Sequence, residues 1–395
     1  VDAVGTTDLT KRTNQPGGIG TESSAGSDAP FSTPYLWPLL AAASASQAGA
    51  SFFTVIANTL AGHGAGDSDA PEPAWATPNA VALELPSMRL RDFSTHAQGQ
   101  PTLVCAPYAL HAANIADFAP GHSVIEALCG AGLPRVFVTD WRSATPDMSE
   151  FSIDTYLADL NVAIDEIGPP VDLVGLCQGG WLGLVYAARF PGKVGRLVLI
   201  GAPVDFRAGD SYLSRIAADV PLATFENMIR LGGGRVLGQR VLDFWTPALD
   251  AREADRILQL SPDMDADHAR ELEARFREWY VTTVDLPGRY FLQVVRRLFK
   301  ENQIAEGRFV ALGRSIDLAS VRAPVFLLAA RDDELVSPEQ AIAAASLIGT
   351  PKSEIHIESA PCSHLSLFLG ARTIDNTWRR IATWLDRDAK LAKAS

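Results

Sequence analysis

Three short stretches carry residues whose chemistry and order belong together. The first is Val171–Phe190, VDLVGLCQGGWLGLVYAARF, in which Cys177 sits between Gly175 and Gly179. The apolar run Val171–Leu176 predicts a strand and Trp181–Arg189 a helix, with the thiol at the corner between them. Cysteine on a sharp strand-to-helix turn is a nucleophile elbow with Cys in place of Ser. The glycines have a mechanical reason. Strand and helix approach closely there, so residues without a Cβ fit two positions either side of a strained nucleophile. The helix N-terminus and a neighbouring imidazole would both favour the thiolate. A buried cysteine in a tight turn is the competing reading, since free Cys is often buried.

The second stretch is Arg331-Asp332-Asp333-Glu334, directly after the apolar run Val325–Ala330. The third is the loop Ser359–His364, after the strand-like Glu354–Glu358. Nucleophilic acyl transfer needs a thiol, a base to deprotonate it, an acid to orient the base, and donors for the developing oxyanion. In chain order these are Cys177, then Asp333 or Asp332, then His364. The oxyanion donors are expected to be the backbone N–H of Gln178 and one from Pro107–Leu110, either Tyr108 or Ala109. Of the seven histidines, only His364 occupies the last loop. His356 falls within a strand, and His96 and His268 in polar stretches. His111 and His122 flank the loop after Cys105. His111 and Trp181 are the candidates for lining the substrate path, with a structural role open for His111. Cys105 and Cys362 read as structural.

These residues require elements that bring three strand ends together. Val81–Leu85 and Met88–Arg91 alternate like an antiparallel hairpin. Pro101–Ala106, Val136–Val138, Val171–Leu176 and Leu197–Ile200 read as strands. Helical periods lie between them, at Ser123–Cys129 and at Ile153–Ile167 with a cap near Ser152. Alternation at this spacing predicts a mostly parallel, doubly wound sheet, an α/β-hydrolase fold with its site at the carboxyl ends of the strands. The alternation lapses over 205–306, where Ala251–Leu260, Ala266–Tyr280 and Leu286–Lys300 are helical, and the aromatics Phe225, Phe244, Trp245, Trp279, Tyr280, Tyr290 and Phe291 read mostly as core. That stretch is expected to be an inserted helical cap. The expected organisation is a first core part at 80–204, the cap at 205–306 and a second core part at 307–395. Before them, 1–79 holds a polar, disordered lead, a helical stretch Tyr35–Gly62 and a linker His63–Asn79.

Bulk properties narrow the class. At 395 residues, 47% hydrophobic and 20% charged, the chain can bury one large core. A net charge of −12 argues against a nucleic-acid partner. The four cysteines have neither metal-ligand spacing nor the density of a disulfide scaffold. No metal and no cofactor are expected. No run has the length of a transmembrane segment and no secretory signal is visible, so a reducing cytoplasm is the expected location.

From about Ala80 to Leu385 the chain resembles the polyhydroxyalkanoate synthases and the intracellular polyhydroxyalkanoate depolymerases. The resemblance rests on LVCAPYALHAANIADFAPGHSVIEAL, VFVTDWRSATPDMSEFSIDTYLADL, LVGLCQGG, LVLIGAPVDF, LFKENQIAEGRF, GRSIDLASVRAPV and HLSLFLGAR. It implies a capped α/β-hydrolase fold, a triad of Cys177, Asp333 and His364, and acyl-enzyme chemistry on 3-hydroxyacyl esters. The implied partners are a polyhydroxyalkanoate polymer or oligomer, a granule surface, hydroxyacyl-CoA for a synthase, and a second copy of the chain. The synthases look as if they place His after the catalytic Asp and Thr after the glycine pair, where this chain has Glu334 and Trp181. Ile348-Gly349-Thr350-Pro351 and Phe368-Leu369-Gly370-Ala371-Arg372 look more like the depolymerases, and the missing His favours a cysteine hydrolase, a depolymerase. A synthase is the alternative, and a non-catalytic granule-associated protein a second alternative.

Overall fold

The computed structural model describes residues 74–245 and 251–392. The expectations for the polar lead, for Tyr35–Gly62 and for most of the linker concern residues outside those described. Eight strands form the central sheet: β1 (Ala80–Glu84), β2 (Met88–Asp92), β3 (Pro101–Cys105), β4 (Arg135–Trp141), β5 (Val171–Leu176), β6 (Val194–Ile200), β7 (Val325–Ala330) and β8 (Ile355–Ala360). Their order is β1-β2-β4-β3-β5-β6-β7-β8. β2 runs antiparallel to both neighbours and every later pairing is parallel. This is the mostly parallel, doubly wound sheet the sequence predicts. From β3 the chain steps outward to β4, then returns past β3 to β5. The reversal opens a crevice at the carboxyl ends of β3 and β5, where such sheets place ligands.

Helices α1 (Val124–Gly130), α2 (Ile153–Ile167) and α3 (Gln178–Arg189) connect these strands. Ser152 caps α2 in a reciprocal capping box with Thr155. β5 and β7 are buried along their whole length, as continuous apolar runs in parallel sheets are. α3 is buried from Gly179 to Ala188, which its uniformly apolar sequence permits.

Between β6 and β7 lie α4 (Tyr212–Asp219), α5 (Leu222–Leu231), α6 (Gly238–Trp245), α7 (Ala251–Leu258), α8 (Ala266–Val281) and α9 (Gly288–Gln293). The helix expected from Leu286 starts at Gly288 instead. Leu286 and Pro287 pair as a short strand with Val236 and Arg235, which takes them out of the helix. Past α9 the chain widens into a π-helical turn over Val294–Lys300. The segment is tied at its root. Asn302 Nδ2 donates to Asp205 Oδ1 at 2.7 Å, Phe206 N–H donates to Asn302 Oδ1 at 3.0 Å, and Arg207 pairs with Glu306.

Candidate active site

Cys177 occupies the single residue between β5 and α3, with φ 47° and ψ −114°. A side chain at positive φ costs roughly 1–2 kcal/mol, so the surrounding contacts must impose this conformation. Two of them explain the glycines. A Cβ on Gly175 would lie 2.4 Å from Gly180 Cα, and one on Gly179 would lie 2.0 Å from the Cys105 carbonyl oxygen. The Cys177 N–H donates to the Ile200 carbonyl at 2.8 Å, fixing the corner against β6. Burial pushes the Cys105 thiol up to about 12, and those of Cys129 and Cys362 up to about 11. Cys177, alone of the four, stands on the elbow at a helix N-terminus, which makes it the candidate nucleophile.

Asp333 and His364 arrive from the ends of β7 and β8. His364 Nδ1 lies 2.6 Å from Asp333 Oδ2, and both side chains are buried. Asp333 Oδ1 accepts the N–H of Leu335 at 3.0 Å and of Val336 at 2.9 Å. Asp332 is exposed, so of the two carboxylates it is Asp333 that reaches the imidazole. Burial disfavours the charged His364 ring, but the Asp333 carboxylate and then Cys177, by charge and by hydrogen bonding, together hold its pKa well above the ordinary value. With Nδ1 taken by Asp333, Nε2 is the nitrogen free to take the thiol proton. Gly201, at φ 54°, makes room for the ring: a Cβ there would lie 3.2 Å from His364 Cε1. Phe368 covers the ring edge-on at 5.6 Å.

The Gln178 amide is the first of α3 and has no intrahelical acceptor, which suits it to an oxyanion. The Gly179 contact seats α3's first turn on the carbonyls of Cys105 and Ala106, at the root of the Pro107–His111 loop. The Tyr108 side chain anchors that loop. Its hydroxyl donates to the carbonyls of Arg142 at 3.0 Å and Asp285 at 3.3 Å, and accepts from Tyr156 at 3.1 Å. Ala109 follows, half-buried. Leu110 accepts the Val284 N–H at 2.9 Å and His111 bridges to Thr283, so the inserted segment grips the loop. His111 stacks beside Trp279, with ring centroids 4.4 Å apart.

Trp181 is corrected. It is wholly buried in α3, packs against Phe309 and donates to its own helix's Gln178 Oε1 at 3.4 Å, so it offers no surface to a substrate. One turn past the elbow, its side chain points into the core. His122 is also structural, its Nδ1 lying 2.7 Å from the Leu369 carbonyl. Tyr290 was read only as core of the inserted segment. It is buried against Tyr108 and Tyr156. Nothing in its local pattern separates it from other aromatics of that segment. Among the described residues no cluster of three ligating side chains could hold a metal, and no helix is long and apolar enough to cross a membrane.

Sheet order and elbow give the chain an α/β-hydrolase fold, with Cys177, His364 and Asp333 as its candidate triad. A family model described as "Protein of unknown function (DUF3141)" matches residues 80–386, and the chain belongs to that family. A protein named "Poly(3-hydroxyalkanoate) polymerase subunit PhaC" from Allochromatium vinosum is 26% identical over 299 residues, 73% of this chain and 82% of that protein. One of the same name from Haloferax mediterranei is 24% identical over 320 residues, 78% of this chain; the chain spans 63% of that relative's length. The solved monoacylglycerol lipase of Paleococcus ferrophilus superposes with a TM-score of 0.49 at 18% identity, over 77% of this chain and 98% of that one.

These relatives overturn the depolymerase expectation, because they are named as polymerase subunits. That expectation leaned on Glu334, in place of the synthases' His, and on Trp181, which is enclosed in the core.

Proposed function

We propose that the protein is a polyhydroxyalkanoate synthase-type acyltransferase that polymerises 3-hydroxyacyl groups delivered as CoA thioesters. The observation that carries this is Cys177, half-buried on a strained elbow, with the buried His364–Asp333 pair, in a chain whose named relatives are polymerase subunits. His364 Nε2 takes the Cys177 proton as sulfur attacks the thioester carbonyl. The C–S bond to CoA breaks, the proton passes to the departing CoA sulfur, and a Cys177 thioester remains. The hydroxyl of a second hydroxyacyl unit then gives its proton to His364 and attacks that thioester. An ester bond forms and the Cys177 sulfur is released. Asp333 holds the ring tautomer and favours the imidazolium formed in each step. The Gln178 amide, with one from Tyr108 or Ala109, receives the oxyanion.

The polymer granule surface and a second copy of the chain are the partners this reading proposes, in the cytoplasm. The test supplies purified protein with 3-hydroxybutyryl-CoA and follows free CoA, the mass of the Cys177 peptide and insoluble polyester. CoA release with an acylated Cys177 and polymer is expected, and Cys177→Ala should abolish all three with the fold intact. Free hydroxy acid without ester product would refute transfer, and activity surviving in Cys177→Ala would move the nucleophile elsewhere.

A further inference from the structure

Beside the Pro107–His111 loop, two fully buried polar atoms have no partner: Nδ1 of His111 and Nε1 of Trp279. Their rings are 4.4 Å apart, with Tyr280 5.2 Å from the same imidazole. Native structures leave few buried polar atoms unpaired, because each forfeits its hydration without return. Two such atoms on touching rings ask for a shared occupant.

Their chemistry specifies it. The indole nitrogen is a donor only. The imidazole is neutral: burial lowers its pKa to about 4, and a hydrogen bond to the Thr282 backbone acts the other way. A neutral imidazole carries its proton on one nitrogen and a lone pair on the other, so Nδ1 presents either an N–H or a lone pair. One group must accept from Trp279 and serve either form of His111, and a hydroxyl, which both donates and accepts, does so. A carboxylate has no proton for a lone pair on Nδ1, and an ammonium accepts nothing from the indole.

We propose that His111 and Trp279 form a subsite for the free 3-hydroxyl of a hydroxyacyl unit. This rests on the hydroxyacyl-transfer reading above. The placement fits. His111 lies three residues beyond Tyr108, on the loop rooted at the first turn of α3, and Trp279 lies in the last turn of α8, just before the segment that grips that loop. The atoms are enclosed as they stand, so the hydroxyl enters as loop and helix part. Only the His111–Thr283 bridge and the Val284–Leu110 bond pin that edge among the described backbone contacts.

The test measures binding of the N-acetylcysteamine thioesters of 3-hydroxybutyrate and butyrate by calorimetry, in a Cys177→Ala background that blocks acylation. The hydroxy thioester is expected to bind about tenfold tighter, the worth of one to two neutral hydrogen bonds. His111→Leu and Trp279→Phe should each bring the ratio close to one, while His111→Gln, which keeps an acceptor, retains part of it. Circular dichroism of each variant confirms the fold, and the His111 pair carries the test where Trp279→Phe unfolds. Equal binding of the two thioesters, as when the pair holds only a structural water, overturns the subsite. So does an unchanged ratio in both loss variants, or no binding of either thioester. A binding preference that persists while wild-type Cys177 is never acylated sinks the transfer reading and leaves the subsite standing.

Discussion

Asp333→Asn separates chemistry from folding at this site more cleanly than any truncation. Asp333 Oδ1 is held by two backbone amides, Leu335 at 3.0 Å and Val336 at 2.9 Å, and Oδ2 meets His364 Nδ1 at 2.6 Å. An asparagine keeps both backbone bonds only by placing its carbonyl oxygen at the Oδ1 position. Its NH₂ then faces His364, and a donor there needs a lone pair on Nδ1. The proton moves to Nε2, the nitrogen that must receive the Cys177 proton, and the base is lost. Losing a positioned general base costs about 10²–10⁴-fold in rate. Stopped-flow release of CoA from 3-hydroxybutyryl-CoA reports that step directly. A second readout is stability against pH. His364 has its folded pKa raised above the ordinary 6.5. Its contribution is therefore complete below about 6.5 and lost as pH rises through the folded value, because only the native state then holds the proton. Urea unfolding at pH 6 and pH 9 should show that loss in the wild type and a smaller one in Asp333→Asn. Acylation by the variant within a few-fold of wild type would refute the orientation argument.

Gly201→Ala places a Cβ 2.8 Å from Leu367 Cδ1 and 3.2 Å from His364 Cε1, at φ 54°. Thermal unfolding should show a loss of about 1–2 kcal/mol from the backbone alone. Acylation should fall about tenfold or more as the ring is displaced, given that a 1 Å misplacement is worth roughly 10²-fold. Stability loss at an unchanged rate would show that the ring does not need that space. His111 has its folded pKa lowered to about 4, so its stabilisation is present above 6.5 and lost as pH falls toward 4. Wild type should lose up to about 3 kcal/mol across that window beyond what His111→Gln loses, read from paired urea titrations. Parallel curves for the two proteins would put His111 in a wetter setting.

The sequence by itself determined the parts whose reason is local. Gly175-Leu176-Cys177-Gln178-Gly179 shows its elbow because steric demands within five residues select those types, and the structure returns contacts of 2.0–2.4 Å wherever a Cβ is imagined. The parallel sheet was legible because continuous apolar runs alternate with helical periods, a pattern set by burial on both faces. Other features depend on chain segments far apart in sequence, which only the tertiary structure brings together. The choice between Asp332 and Asp333 turns on which carboxylate the β7 turn aims at a histidine 31 residues later. Trp181 looked available because it follows the elbow, yet one helical turn is enough to carry a side chain from the crevice into the core. Tyr290 and Trp279 reach the β3 loop from more than 150 residues away, and their roles follow from the inserted segment folding back over it. Local sterics are written in neighbouring residue types; a surface assembled from distant segments exists only once the chain has closed on itself.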